Sequence, residues 1–159
     1  ILIKLPEGMG REAYLGYKTF LSTDAPKSNG NCVVCHAPPE FTDFNFHSVG
    51  VRPDDEDPGL AGITGLESDT GLFKTPSLRE LTTSAPYMHD GRFASLGEVL
   101  AFYNVLPGKP PVGHREESLQ PLNLSPAELE DLEAFLRSLS ADGPVPSNLQ
   151  APTPLYQLD

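Results

Sequence analysis

The chain has 159 residues, which is the length of one folded domain around a single core. Its 22 acidic and 11 basic side chains give a formal net charge of −11, which argues against a nucleic-acid-binding protein or one that docks on anionic membrane surfaces. No apolar stretch approaches the roughly 18 residues of a membrane helix, and no leader pattern opens the chain, so we expect a mature, soluble protein without a membrane span.

The first predicted helix spans residues 10–22. Its apolar side chains recur at helical spacing and are Ala13, Tyr14, Tyr17, Phe20 and Leu21. We expect this helix to end before the turn at Gly30-Asn31. The 14 glycines and 17 prolines of the chain predict that such short helices are joined by long, ordered loops.

The two cysteines of the chain lie in the string Cys32-Val33-Val34-Cys35-His36. This spacing is typical of c-type haem attachment, in which two thiols bond the haem vinyl groups and the next histidine becomes the proximal iron ligand. A redox-active thiol pair and half of a zinc site are the alternatives, but the chain shows neither a βαβ context nor a second ligand pair. We therefore expect one covalently attached c-type haem, held by Cys32, Cys35 and His36, and a periplasmic or extracellular location.

Residues 37–94 are punctuated by proline, glycine and aspartate, and neither a helical nor a strand period fits them. We interpret this segment as an ordered loop layer packed on the haem. Its isolated aromatic side chains are Phe41, Phe44, Phe46 and Phe73.

Two further helices are predicted from their first residues. Ser95 and Glu98 form a capping-box pattern, and the helix that follows is expected to end near Pro107-Gly108. The same pattern recurs at Ser125-Pro126-Ala127-Glu128, with Gly143 as the expected C-terminal stop. The apolar side chains are Leu96, Val99, Leu100 and Tyr103 in the first of these helices, and Leu129, Leu132, Phe135, Leu136 and Leu139 in the second.

Several strings between these helices resemble a known family. They are Pro38-Pro39-Glu40-Phe41-Thr42-Asp43, Phe46-His47-Ser48-Val49-Gly50, Asp69-Thr70-Gly71, Phe73-Lys74-Thr75-Pro76-Ser77-Leu78-Arg79 and Ala85-Pro86-Tyr87-Met88-His89-Asp90-Gly91-Arg92-Phe93. In this order they resemble the C-terminal haem domain of the di-haem bacterial cytochrome c peroxidases, including the MauG-type proteins. The resemblance implies a mainly α, cytochrome c-like single domain at residues 12–140, after a lead-in at 1–11 and before a Pro-rich tail at 141–159.

The resemblance also implies a function. Family members carry two c-type haem domains, whereas this chain has one attachment motif, so we expect the electron-transfer haem domain, relaying or storing oxidising and reducing equivalents. Its partner would be a redox protein or a second haem-bearing subunit. A self-sufficient single-haem peroxidase is the alternative, and a structural or sensory haem protein is a third class.

Two residues are candidates for the distal iron ligand. Spacing alone favours Met88, a soft thioether on a loop well after the attachment motif. In the family, the ligand lies fourteen positions after the histidine of the Pro-Tyr-x-His-Asp-Gly string, which is Tyr103 here, and MauG-type proteins have tyrosine at that place. We therefore favour Tyr103, although a core tyrosine with an ordinary hydrogen-bond partner is the alternative.

Two other residues enter the candidate site through the resemblance. His89 is a candidate acid–base or ligand-binding group, or else a structural histidine of the His-Asp-Gly turn. Arg79 is a candidate partner of a haem propionate, or else a surface arginine. Calcium is a further cofactor that the family suggests, with backbone carbonyls at the positions of Ser84 and Pro86.

The remaining histidines and the acidic run are not expected to take part in chemistry. His47 and His114 are interpreted as solvated loop residues. Residues 54–57 are all acidic, but they lack the spacing of an EF-hand and are interpreted as a solvated loop.

Overall fold

The computed structural model describes residues 9–23, 31–51, 57–106, 108 and 114–141. The α-helices in these ranges are α1 (Arg11–Leu21), α2 (Ala61–Thr64), α3 (Leu96–Val105) and α4 (Pro126–Arg137). Two short strands, β1 (Phe46–His47) and β2 (Phe73–Lys74), pair in antiparallel fashion, and single 3-10 turns lie at Cys32–Val34, Glu67–Asp69 and Leu81–Thr83. The predicted mainly helical fold with long loops is confirmed.

The first and last helices of these ranges, α1 and α4, pack directly on each other. Gly16 of α1 lies against the backbone of Asp131 in α4, where no side chain fits between the helices. Phe20 and Leu132 are completely buried at this contact, and the Phe20 and Phe135 ring centroids are 5.1 Å apart. Burying each of these side chains contributes roughly 1.5–3 kcal/mol of stability. The contact between α1 and α4 therefore forms the centre of the core.

Both predicted capping boxes are present. The Ser95 hydroxyl accepts a hydrogen bond from the Glu98 amide at 3.2 Å, and the Glu98 carboxylate accepts one from the Ser95 amide at 3.2 Å. Ser125 and Glu128 make the same reciprocal pair at the start of α4. These bonds satisfy amides that the first helical turn leaves without partners. The expected stop at Gly143 lies outside the described residues.

The loop layer differs from the expectation in two respects. β1 and β2 form a short ladder that no sequence period indicated, because each strand has only two residues. The loop aromatics also separate by environment: Phe41 is buried against Phe20, whereas Phe44 and Phe46 are 62% and 43% exposed. Of the four aromatics, only Phe73 lines the cavity described below.

No helix within the described ranges is long and apolar enough to cross a membrane. The lead-in before Met9 and the tail after Ala141 lie outside the described residues, so the boundaries at 1–11 and 141–159 stay predictions.

Candidate functional site

The Cys32–His36 string forms a tight turn beside α1. Asn31 enters it in the left-handed conformation, with φ of 46°, and the amides of Cys35 and His36 both donate to the Cys32 carbonyl, at 3.3 and 2.8 Å. Neither cysteine is in a disulfide. Burial raises the pKa of the Cys32 thiol to about 12, and burial together with the nearby Asp43 raises that of Cys35.

His36 is held in one tautomer by the loop that follows it. Its Nδ1 donates a hydrogen bond to the Phe41 carbonyl at 2.9 Å, which leaves Nε2 as the nitrogen with a lone pair. Burial lowers the pKa of His36, although the Phe41 carbonyl opposes this effect. A neutral imidazole with an oriented Nε2 is the form that ligates a metal.

A cavity of about 510 Å³ opens beside this histidine. Its volume lies within the range of roughly 300–1,000 Å³ that is common for small-molecule and cofactor sites. The predicted site residues that line it are Cys35, His36, Arg79, Met88, His89 and Tyr103. Cys32 instead packs against the edge of the hydrophobic core.

Tyr103 extends from α3 into the cavity. Burial raises the pKa of its phenol well above the usual range. Among the residues that the structure describes, none makes a hydrogen bond to the Tyr103 hydroxyl, so the ordinary partner of a core tyrosine was not found.

Met88 lines the same cavity from the loop between the 3-10 turn at Leu81–Thr83 and α3. Its backbone is in the left-handed region, with φ of 71°. The flanking loop is fixed because the Tyr87 amide donates to the Phe93 carbonyl at 2.7 Å and the Tyr87 hydroxyl donates to the Leu81 carbonyl at 2.8 Å. Both distal candidates therefore reach the cavity.

Arg79 lines the cavity, but part of its guanidinium is already used. Its Nε and Nη2 donate to the Pro39 carbonyl at 3.0 and 2.5 Å, and its guanidinium carbon lies 5.5 Å from the centre of the Phe41 ring. A role as partner of a propionate would fall to the remaining N–H groups.

His89 is exposed at the cavity wall and stacks on Phe73. The two ring centroids are 3.6 Å apart and the planes are inclined by 13°. His89 therefore forms part of the cavity wall together with Phe73, the first residue of β2. The turn after His89 contains an ion pair between Asp90 and Arg92 at 2.6 Å. Ser84 and Pro86, the positions suggested for calcium, are exposed residues at the same cavity, and calcium stays a prediction.

A charged cluster that the sequence analysis did not find lies beside Cys35. His47 contacts Asp43 and Glu116 on its two ring nitrogens, at 2.7 and 3.3 Å. Burial acts to raise the pKa of Asp43, but hydrogen bonds from His47 and the Asn45 amide hold it below its usual range. The spacing of Asp43 and His47 was the only local signal, because Glu116 is distant in sequence. His114 is exposed, as expected.

The cavity wall is cationic although the chain is acidic. Its lining includes the cationic side chains of Lys74 and Arg79 and the imidazoles of His36, His47 and His89, of which burial lowers the pKa of His36. No aspartate or glutamate that the structure describes lines it. This combination suits a large apolar group that carries carboxylates. Paired thiols, an oriented imidazole, a half-buried phenol and cationic side chains fit a c-type haem.

The chain is similar to several characterised proteins. It is 33% identical to cytochrome-c peroxidase IdrP1 of Denitromonas iodatirespirans over 86% of this chain and 42% of the relative. It is 38% identical to methylamine utilization protein MauG of Methylophilus methylotrophus over 71% of this chain and 33% of that protein. No protein-family model matches it.

Solved structures give the same similarity at the level of the fold. A MauG-like protein associated with microbial copper homeostasis superposes with a TM-score of 0.71 and 28% identity, over 83% of this chain and 47% of that chain. The diheme peroxidase BthA of Burkholderia thailandensis E264 superposes with a TM-score of 0.66 and 22% identity, over 86% of this chain and 44% of that chain. The chain thus spans less than half the length of these relatives.

Proposed function

This chain belongs, over the part of its relatives that it spans, to the bacterial cytochrome-c peroxidase and MauG family of haem redox proteins, and from this premise we propose that it is their electron-transfer haem domain. In this role it relays or stores oxidising and reducing equivalents for a reaction centre outside the chain. The relatives' remaining length is where such a centre, or a second haem-bearing unit, would lie.

The observation that carries this proposal is the Tyr103 hydroxyl. It is partly buried, it lies at the cavity that His36 also lines, and none of the described protein groups is bonded to it. The His36 imidazole and the Tyr103 phenol line one cavity, and both would hold the iron of a haem bound there, which would leave it closed to other ligands. A closed iron suits electron transfer better than the binding of peroxide.

Each residue of the site would have a distinct part in holding a haem. The Cys32 and Cys35 thiols would bond it covalently, and the Phe41 carbonyl orients the His36 ring toward it. When bound, the haem would supply a one-electron redox centre whose ferric form an anionic oxygen ligand stabilises. Burial disfavours the negatively charged phenolate of Tyr103. Tyr103 would therefore lose its proton only if the positive charge of an iron ion nearby compensated for burial.

The charge pattern supports the same role. The cationic cavity wall, with Lys74 and Arg79, would neutralise two propionates, whereas the outside of the chain is strongly acidic. A redox partner with a basic surface would be attracted to such an exterior. Periplasmic or extracellular location follows from where c-type haem is attached, and it is part of the proposal.

The test is the electron paramagnetic resonance spectrum of the ferric holoprotein, after mass spectrometry has established one covalent haem per chain. We expect a low-spin signal that changes in Tyr103→Phe and is unchanged in Met88→Leu. Tyr14→Phe is the matched control, because Tyr14 lies in α1 and does not line the cavity.

Two results would overturn this assignment. A spectrum that changes in Met88→Leu but not in Tyr103→Phe would make Met88 the ligand. A high-spin wild-type signal together with peroxide turnover by the isolated chain would establish the self-sufficient peroxidase, in which His89 at the cavity wall would be the acid–base group.

A further inference from the structure

His47 is held between two carboxylates that come from different segments of the chain. Its Nε2 lies 2.7 Å from Asp43 Oδ2, and its Nδ1 lies 3.3 Å from Glu116 Oε1. The three side chains are 25%, 19% and 31% exposed, so water screens them only in part. A neutral imidazole has one N–H group, and one of its nitrogens would then present a lone pair to a carboxylate oxygen. A second proton removes this repulsion.

The ring also lies next to the covalent attachment point. The Cys35 sulfur, one Asp43 oxygen and one His47 nitrogen all lie within 4.8 Å of one another. His47 lines the large cavity and also a second cavity of about 40 Å³, whose polar lining includes Asn31, Glu116 and Ser118. Since roughly 10–15 Å³ suffices for one water molecule, the second cavity has room for water beside His47, and the side chain is itself 25% exposed to solvent.

Within the described ranges, charged groups near His47 come from several segments. Asp43 precedes β1. Glu116 comes from a segment distant in sequence, and its own backbone amide donates to the Ser48 carbonyl at 3.0 Å. On the paired strand β2, the Lys74 Nζ donates to the Thr75 carbonyl at 3.0 Å and lies 5.1 Å from the Phe44 ring centre.

Three further groups of the described residues lie near this cluster. Arg115 donates to the Val49 carbonyl at 3.3 Å, and a charge on His47 disfavours one on the neighbouring His36. Cys35 carries no charge once its sulfur is a thioether. Burial acts to lower the pKa of His47, but the hydrogen bonds and negative charges of Asp43 and Glu116 outweigh burial and raise it.

We propose that His47 takes up one proton from solvent when the redox centre beside Cys35 gains one electron, and releases that proton when the electron leaves. The electron comes from an external one-electron donor, and the proton joins the unprotonated ring nitrogen, so no bond within the protein is broken. This proposal rests on the proposed function, because it requires a covalently held redox group at Cys35.

The physical basis is the linkage between two charges in a site of low polarity. An added electron makes the region next to Cys35 more negative and stabilises a positive imidazolium nearby. The coupling is reciprocal, so protonation of His47 favours the reduced state by the same factor. His47 is thus a positioning residue that acts through its charge. Its protonation makes the driving force of electron transfer depend on the local pH.

The experiment is a potentiometric titration of the holoprotein over a range of pH. Over the pH interval in which His47 exchanges its proton, a tenfold fall in proton concentration shifts the redox equilibrium by up to tenfold, or about 59 mV for one electron. We expect this slope in the wild type, no slope from this group in His47→Gln, and the wild-type slope in His114→Gln, the matched control at an exposed histidine.

Two further measurements keep the result decisive. In Glu116→Gln, His47 retains only the Asp43 carboxylate, so the sloping interval moves to lower pH. Reduction in weakly buffered solution with an indicator dye counts the protons taken up per electron, and this number falls in His47→Gln.

An unchanged slope and an unchanged proton count in a folded His47→Gln would overturn the proposal, because the propionates or another group would then carry the coupling. If His47→Gln does not fold, an unshifted interval in Glu116→Gln overturns it instead. Failure of the proposed function is distinguishable, since a chain without covalent haem gives no haem potential at any pH.

Discussion

Gly16 in α1 lies so close to the backbone carbonyl of Asp131 in α4 that any Cβ at position 16 would overlap it. The two helices approach this closely only because glycine has no side chain. The contact also bears on the site, because α4 supplies Leu136 to the cavity wall and Phe135 to the core beneath Phe41. The α1–α4 contact therefore supports the cavity as well as the core.

Gly16→Ala is expected to destabilise the fold by at least about 1–3 kcal/mol, because the added methyl group must push two helix backbones apart. The measurement is the free energy of unfolding from urea titration. Gly97→Ala in α3 is the matched control: its nearest neighbour would be the flexible Glu133 carboxylate at 3.4 Å. Alanine improves helix propensity there by up to about 1 kcal/mol. Equal losses in both variants would contradict the close approach.

Ser125→Ala is expected to cost about 1 kcal/mol, because the Glu128 amide loses its acceptor at the start of α4. Ser125→Asp retains an acceptor oxygen and should recover most of this loss. Urea titration of the two variants measures the difference. Equal stability of Ser125→Ala and the wild type would show that the capping box contributes nothing to folding.

The elements that sequence alone predicted are those specified by local chemistry. Ser95 and Glu98 lie within one helical turn, so their pattern is readable without knowledge of the fold. The Cys32–His36 string is equally local, since its cysteines and histidine lie in one turn, and its role in haem attachment stays a prediction. The distal ligand could not be chosen from local sequence in this way. Met88 and Tyr103 both reach the cavity, and only the family resemblance favoured Tyr103.

The features that escaped prediction depend on contacts between distant segments. His47 was interpreted as a solvated loop residue, because nothing near it in sequence indicates that Glu116 packs against its ring. In the same way, the two Arg79 donors are directed to Pro39, forty positions away. Phe41 adopts φ of 53° and enters the core through tertiary contacts that no period encodes.

Asn104→Ala is expected to destabilise the fold by about 1–3 kcal/mol, because it leaves buried backbone groups without partners. The Asn104 amide donates to the Leu124 carbonyl at 3.1 Å, and its carbonyl accepts from the Leu124 amide at 2.7 Å. This pair ties the end of α3, next to Tyr103, to the segment before α4. The free energy of unfolding measures the loss.

A spectroscopic readout separates this effect from a general loss of stability. In the ferric holoprotein, Asn104→Ala should broaden the resonance assigned to Tyr103 ligation, because the end of α3 is less firmly held. Gln120→Ala is the control, since Gln120 is exposed and its side-chain amide donates to the nearby Glu117 carbonyl at 3.0 Å. An equally broad signal in both variants would contradict a specific role of Asn104.

The last prediction concerns the pH dependence of stability at the Asp43–His47 pair. The lowered pKa of Asp43 contributes stability above the unfolded value of about 3.9, and this contribution is lost as the pH falls through the folded pKa. The raised pKa of His47 contributes stability below the unfolded value of about 6.5, and this contribution is lost as the pH rises through the folded pKa. The pair therefore stabilises the fold most between these two unfolded values.

Asp43→Asn removes the carboxylate and nearly conserves the shape of the side chain. Its stability deficit relative to the wild type should be largest near pH 5–6 and should shrink toward both lower and higher pH, because one partner of the pair then loses its charge. Urea titrations at a series of pH values measure this profile. Glu130→Gln, at an exposed position of α4, should give a deficit without such a maximum. If the Asp43→Asn deficit is the same at every pH, the two side chains are not coupled by charge, and the hydrogen bond alone accounts for their contact.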